Sequence, residues 1–131
     1  MAGINILKKY YGIVTLAIDA KSATYATVAS LTEINCSGYT KLMVQYIVSG
    51  ATWDIAGTID IYNSLHSGGT YTQNDTTIEN ATHSVLGTDD GFVGLGEIYV
   101  VENIAPYIKV AWTLATGSVG TISVWCMPFN M

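Results

Sequence analysis

Two histidines, His66 and His83, stand seventeen positions apart in a stretch rich in Ser, Gly, Thr and Asn. A zinc site takes about four His, Cys or carboxylate ligands at a recognisable spacing. No third His or Cys stands near this pair, so both read as histidines of a surface loop. Asp89-Asp90-Gly91, with Asp75 and Glu79 nearby, offers oxygens of the kind calcium prefers, and calcium takes roughly six to eight of them. The spacing is not that of an EF-hand. A turn that uses Asp and Gly for their backbone preferences is the stronger reading. Asp54 and Asp60 fall on the wet face of one expected strand. At ~3.3 Å per residue they sit ~20 Å apart, too far for the two carboxylates that flank a glycosidic bond. Neither histidine lies beside a GxSxG nucleophile signature. Gly94-Leu95-Gly96 is followed by no helix that could hold a phosphate. Asn35, Asn74 and Asn80 each begin an Asn-X-Ser/Thr triplet, which a chain this rich in these residues produces by chance. Cys36 and Cys126 have neither CxxC nor metal-ligand spacing. They could pair in an oxidising environment, but the favoured reading is two small buried hydrophobes. The expectation is a protein without catalytic residues, metal or cofactor.

Composition points the same way. Half of the 131 residues are hydrophobic and 11% are charged, against about a quarter charged in an average soluble domain. The mean hydropathy is +0.35. A membrane helix needs roughly 18 consecutive apolar residues. The best runs here, Ile13 to Ile18 and Leu42 to Val48, are short and broken by Thr or Gln. A membrane barrel of eight spanning strands would consume nearly the whole chain, and the apolar runs vary in length. No membrane partner is expected. An apolar surplus that one domain cannot hide goes to contacts with other subunits, since large exposed apolar patches are rare on monomers. The competing reading is a tightly packed monomer with a Thr/Ser/Gly surface. The five basic residues are all lysines, and the formal net charge is −5. Without arginine or a basic stripe, nucleic acid is excluded as a partner.

The elements are strands. Leu42, Val44, Tyr46 and Val48 alternate with Met43, Gln45, Ile47 and Ser49. Trp53, Ile55, Gly57, Ile59 and Ile61 do the same against Asp54, Ala56, Thr58, Asp60 and Tyr62. Val48 to Thr52 between them suits a hairpin loop with Gly50 at its bend. Ile108, Val110, Trp112 and Leu114, then Ile122, Val124 and Cys126, form two further apolar faces, with Ala115 to Gly120 as the expected hairpin between them. Residues 91–101 hold another strand. Tyr11 to Ile18 and Thr24 to Leu31 are expected strands joined by a turn at Asp19 to Ser22. Residues 63–90 form a long polar excursion with a short strand at Thr70 to Gln73, and long loops often carry function. No stretch keeps a helical period. Seven or eight strands spaced by turn signals predict an all-β fold: a two-sheet antiparallel sandwich, jelly roll ahead of immunoglobulin-like. Residues 12–131 make a single domain, and residues 1–11 an N-terminal arm.

Glu102-Asn103-Ile104-Ala105-Pro106-Tyr107-Ile108-Lys109-Val110-Ala111-Trp112-Thr113, continued through Gly117, Thr121 and Trp125, resembles the C-terminal strands of small structural proteins of tailed bacteriophages. The resemblance covers residues 102–127. It implies a capsid decoration, tail or neck protein with a sandwich or jelly-roll fold. Its partners would be other copies of itself, most often as a trimer, and a capsid or tail protein. It would be located in the virion, assembled in the host cytoplasm.

The interface candidates follow from the residues. Ile4, Ile6 and Leu7, then Lys8, Lys9, Tyr10 and Tyr11, make an apolar segment able to extend a neighbour's sheet as a docking arm. The charges follow the apolar run, the reverse of a secretory signal. Trp125 lies on the opposite face from Val124 and Cys126, open to solvent or to a neighbouring subunit. Tyr and Trp are enriched at interfaces. They also build sugar platforms, so the alternative is a carbohydrate- or receptor-binding module using Trp125, Tyr62 and Tyr71. A further alternative is a subunit of an extracellular filament or surface layer.

Overall fold

The computed structural model describes residues 10–54, 57–79, 98–114 and 119–130, with the backbone alone at 49–54, 75–79 and 119. Among them are eight strands: β1 (Thr15–Lys21), β2 (Ile34–Asn35), β3 (Lys41–Asp54), β4 (Gly57–Ser64), β5 (Thr72–Glu79), β6 (Ile98–Glu102), β7 (Tyr107–Leu114) and β8 (Val119–Phe129). They form two four-stranded sheets, in the orders β1-β8-β3-β6 and β2-β7-β4-β5. Every pairing is antiparallel. The expected all-β two-sheet sandwich is therefore the fold. No helix among the described residues is long and apolar enough to cross a membrane.

Period-two alternation puts the apolar sets inside. Leu42, Val44, Tyr46 and Val48 of β3, Val101 of β6, and Ile122, Val124 and Cys126 of β8 are buried from one sheet. Ile59 and Ile61 of β4, with Ile108, Val110 and Trp112 of β7, meet them from the other. Each aliphatic side chain removed from water in this way contributes about 1.5–3 kcal/mol. Tyr46 is wholly buried and stacks on Tyr99, with ring centroids 6.1 Å apart.

Several expected connections are corrected. Val48 to Thr52 is no hairpin loop: β3 runs unbroken through it to Asp54. β4 then begins at Gly57 in the other sheet. β7 and β8 likewise lie in different sheets and do not pair with each other, and residues 115–118 of the expected hairpin lie outside the described residues. In both places strand pairing is decided by sheet-to-sheet packing, which alternation does not encode. The turn expected at Asp19 to Ser22 is also displaced, because β1 continues to Lys21 through a register shift. Ala20 there takes φ 48°, and its N–H donates to Ser123 Oγ at 3.0 Å.

Thr24 to Leu31 is not a strand. Tyr25 makes one isolated bridge to Trp112, with backbone N–H···O bonds of 2.8 and 2.9 Å, and Val28–Ser30 is a 3-10 turn. Small Ala, Thr and Ser side chains leave that stretch little to pack, and Lys109 Nζ takes the Val28 carbonyl at 2.8 Å instead. The polar excursion begins as an ordered hairpin of β4 and β5, and the short strand expected at Thr70 to Gln73 is the start of β5. Asn130 N–H donates to the Tyr10 carbonyl at 2.8 Å and Gly12 N–H to the Pro128 carbonyl at 2.7 Å, so Tyr10 and Tyr11 are fastened to the end of the chain's own β8. Ile4, Ile6 and Leu7 lie outside the described residues.

Candidate functional site

The outward side chains of the β1-β8-β3-β6 sheet include two adjacent cross-strand rows. In the first, Leu16 of β1 faces Trp125 of β8, Trp125 faces Gln45 of β3, and Gln45 faces Ile98 of β6. In the second, Met127, Met43 and Val100 are register partners. None of these seven side chains is charged. Ile98 is 61% exposed, Val100 50% and Trp125 37%. Val14 and Ile13, just before β1, are exposed too. Between them runs a shallow open groove of about 160 Å³, lined mainly by Val14, Met43, Gln45, Ile98, Trp125 and Met127. Charge flanks the rows: Lys41 and Glu102 pair at 3.5 Å at one end, and Asp19 of β1 is exposed toward the other. A face of this kind can bury apolar surface and position one amide. The seven side chains of the two rows include no acid, base or nucleophile.

Trp125 thus lies where its alternation places it, outward and part-exposed, while Val124 and Cys126 are buried. Tyr10 and Tyr11 are part-exposed at the end of the same sheet. Tyr39 Oη donates to the Tyr11 carbonyl at 3.3 Å. Tyr62 and Tyr71 are not near Trp125 in the fold. Tyr62 is on β4 of the opposite sheet, paired with Lys109 and Gln73, and Tyr71 immediately precedes β5. The three aromatics do not share one platform.

The opposite sheet carries a polar cluster that alternation did not reveal. Glu33, just before β2, accepts from Ser67 Oγ at 2.6 Å, from Gly68 N–H at 2.8 Å and from Tyr71 Oη at 2.5 Å. The Lys109 ammonium lies 4.7 Å from the centre of the Tyr71 ring. Together these contacts tie the β4–β5 turn to β2. The Gly68 N–H, then Ser67 and Tyr71, hold the Glu33 carboxyl down at about 2. Burial, with Glu33 beside it, pushes the Tyr71 phenol up. Folding lowers the Glu33 pKa, so its contribution to stability is complete above about pH 4.5 and is lost as the pH falls toward 2. Glu33→Gln is expected to flatten the fall of the thermal midpoint between pH 4.5 and 2 while lowering the midpoint at pH 7. Parallel wild-type and variant curves across that range would show that the cluster does not couple to folding.

The two cysteines are buried free thiols. Burial pushes both up to about 12, with Cys36 adding a smaller upward push on Cys126. Since the thiolate is the reactive form, neither is expected to react with a thiol reagent in the folded protein, and both should react once it is unfolded in urea. Rapid labelling of either in the native state would contradict their placement.

His66 sits exposed on the β4–β5 turn, its backbone N–H donating to Ser64 Oγ at 3.2 Å. Asp60 accepts from Gln73 Nε2 at 3.1 Å on the outer side of its sheet. His83, Asp89 and Asp90 lie outside the described residues, as do the side chains of Asp54, Asp75 and Glu79. Among the described residues no three His, Cys, Asp or Glu side chains gather to hold a metal ion. No family model matches this chain. A search of curated proteins likewise finds no match.

Proposed function

We propose that this chain is a virion structural protein, a capsid decoration or stabilising protein that binds the particle surface and neighbouring copies of itself and does no chemistry. The observation that carries this reading is the two uncharged, largely apolar rows on the outer face of the β1-β8-β3-β6 sheet, on a chain whose composition already called for burial between subunits. Large exposed apolar patches mark interaction surfaces. The wind of the chain agrees with the phage resemblance. Strands pair 1 with 8, 2 with 7, 3 with 6 and 4 with 5, the nested order of a rolled-up hairpin, which supports a jelly roll over the immunoglobulin arrangement. The carbohydrate-binding alternative draws less support, since Trp125 lies in a different sheet from Tyr62.

The test is mass spectrometry of density-purified particles from cells that make this chain. The expected result is the chain in the particle fraction at a fixed ratio to a capsid or tail protein. Its absence from particles, with recovery in extracellular filaments or on a glycan array, would replace this reading with one of the alternatives.

A further inference from the structure

We infer that a polar cavity at the β4–β5 turn binds a neutral, hydroxyl-rich ligand, a single sugar unit. The inference goes beyond the structural role proposed above and does not depend on it.

The cavity begins where the apolar row of β4 ends. Ile59 and Ile61 are buried on the inner face of their sheet, and alternation puts Asn63 next on that face. Thr72 of β5 is its register partner. With Leu65, His66 and Thr70 of the turn, and Ala105 between β6 and β7, they line an open cavity of about 440 Å³. Small-molecule sites run from about 300 to 1,000 Å³. The cavity is separate from the rows around Trp125, which belong to the other sheet.

The walls are fixed by their own hydrogen bonds. Asn63 Oδ1 accepts from the Ala105 N–H at 3.1 Å, which joins β4 to the β6–β7 connection. The buried Ser64 Oγ donates to the His66 carbonyl at 2.8 Å and accepts from the His66 backbone N–H at 3.2 Å. The Gly69 N–H donates to the same carbonyl at 3.0 Å. Ser67, Gly68 and Tyr71 of the same hairpin are tied to Glu33. A site shaped beforehand spares a ligand the cost of ordering it.

The lining selects the ligand's chemistry. Asn63 uses its carbonyl oxygen on Ala105 and keeps the two N–H groups of Nδ2. Among the described residues, that Nδ2, the Thr70 and Thr72 hydroxyls and the His66 imidazole have no hydrogen-bond partner. Donors and acceptors thus stand side by side, as the neighbouring hydroxyls of a sugar require. Leu65, 72% exposed, supplies an apolar patch for the C–H face of the ring. The described residues of the lining include no Lys, Asp or Glu, so neither an anion nor a metal cation finds a counter-charge. The chain's net charge of −5 also opposes an anion. An apolar ligand would strip water from the half-buried Asn63 amide and return no bond.

The experiment is a titration of the isotope-labelled full chain, read by amide NMR shifts. The probes are glucose, galactose, mannose and N-acetylglucosamine in turn, then inorganic phosphate. At least one sugar is expected to shift the amides of residues 63–72 and 105. Its dissociation constant should be on the order of 1 mM, because an open cavity leaves part of the ring in water. Thr72→Val keeps a branched side chain suited to a strand and removes the hydroxyl. Asn63→Asp keeps the oxygen that holds Ala105 and removes the Nδ2 donors. Each is expected to weaken binding about fivefold, the loss of one or two hydrogen bonds, while the amide spectrum confirms folding. Trp125→Ala, on the other sheet, is expected to leave binding unchanged. Silence of these amides with all four sugars overturns the inference. So do shifts centred on Trp125, or wild-type binding by both cavity variants. Phosphate that saturates the same amides more tightly than every sugar overturns it as well, by naming an anion as the ligand. Mass spectrometry of particles tests the structural role separately, and either can fail while the other stands.

Discussion

Replacing Trp112 with Ala is expected to destabilise the fold by about 3–5 kcal/mol, read as a lower midpoint in urea with an unchanged slope. Among the described residues Trp112 is the largest wholly buried side chain, and it sits in the middle of β7 opposite Ile59. Its backbone N–H and carbonyl also hold Tyr25, but those bonds survive the substitution, so the loss isolates the indole. The indole carries a cost of its own. Nε1 is buried with no hydrogen-bond partner among the described residues, which forfeits about 1–3 kcal/mol of hydration. Trp112→Phe loses ring volume but also removes that donor, and is expected to cost less than half as much as the alanine. Equal losses for the two would mean that the volume of the second ring matters and the donor does not.

Gly57→Val is expected to cost about 3 kcal/mol, at the upper end for overpacking. A Cβ at Gly57 would run into the Thr113 carbonyl oxygen and Trp112 Cη2, the latter at 2.5 Å. The first obstacle is backbone, so β4 must move away from β7. Gly38 provides the contrast. It has no atom within 4 Å of a Cβ but takes φ +88°, so Gly38→Ala costs only the left-handed strain of about 1–2 kcal/mol. The two large-effect sites are also coupled. Trp112→Ala removes one of the two obstacles, so the double variant with Gly57→Val should be less destabilised than the sum of the singles by about 0.5–3 kcal/mol. Simple additivity would show that the Thr113 carbonyl alone sets the cost at Gly57.

Alternation made the inward faces of β3, β7 and β8 legible, because each carries at least three apolar residues at period two and a one-residue slip would expose all of them. It also placed Trp125 outside. Partners were harder to read. Nothing in Val48 to Thr52 distinguishes a tight bend from a strand that keeps going, since Gly50 suits both and Thr52 and Trp53 prolong the extended pattern. Thr24 to Leu31 looked like a strand through its β-branched residues, yet one bridge at Tyr25 is all that pairs. Glu33 gave no local signal, because the groups that bind it arrive from 34 to 38 positions away. The docking face had the same problem. Trp125 was visible alone, but Leu16, Gln45 and Ile98 join it only through register across four strands.

The order β1-β8-β3-β6 has a consequence for synthesis. β8 is made after the other seven described strands, and it sits between β1 and β3, bonded to both. Its Cys126 thiol reaches the Thr15 carbonyl across 111 positions of sequence. A nascent chain lacking β8 has a gap in the middle of one sheet, with the edges of β1 and β3 open and the inner side chains of β3 uncovered. Such edges are templates for wrong pairing. Folding of this sheet must therefore wait for β8, and contacts of such long range make it slow. The newly made protein passes through an interval in which its longest strands are exposed, and the yield of native molecules depends on how that interval is protected.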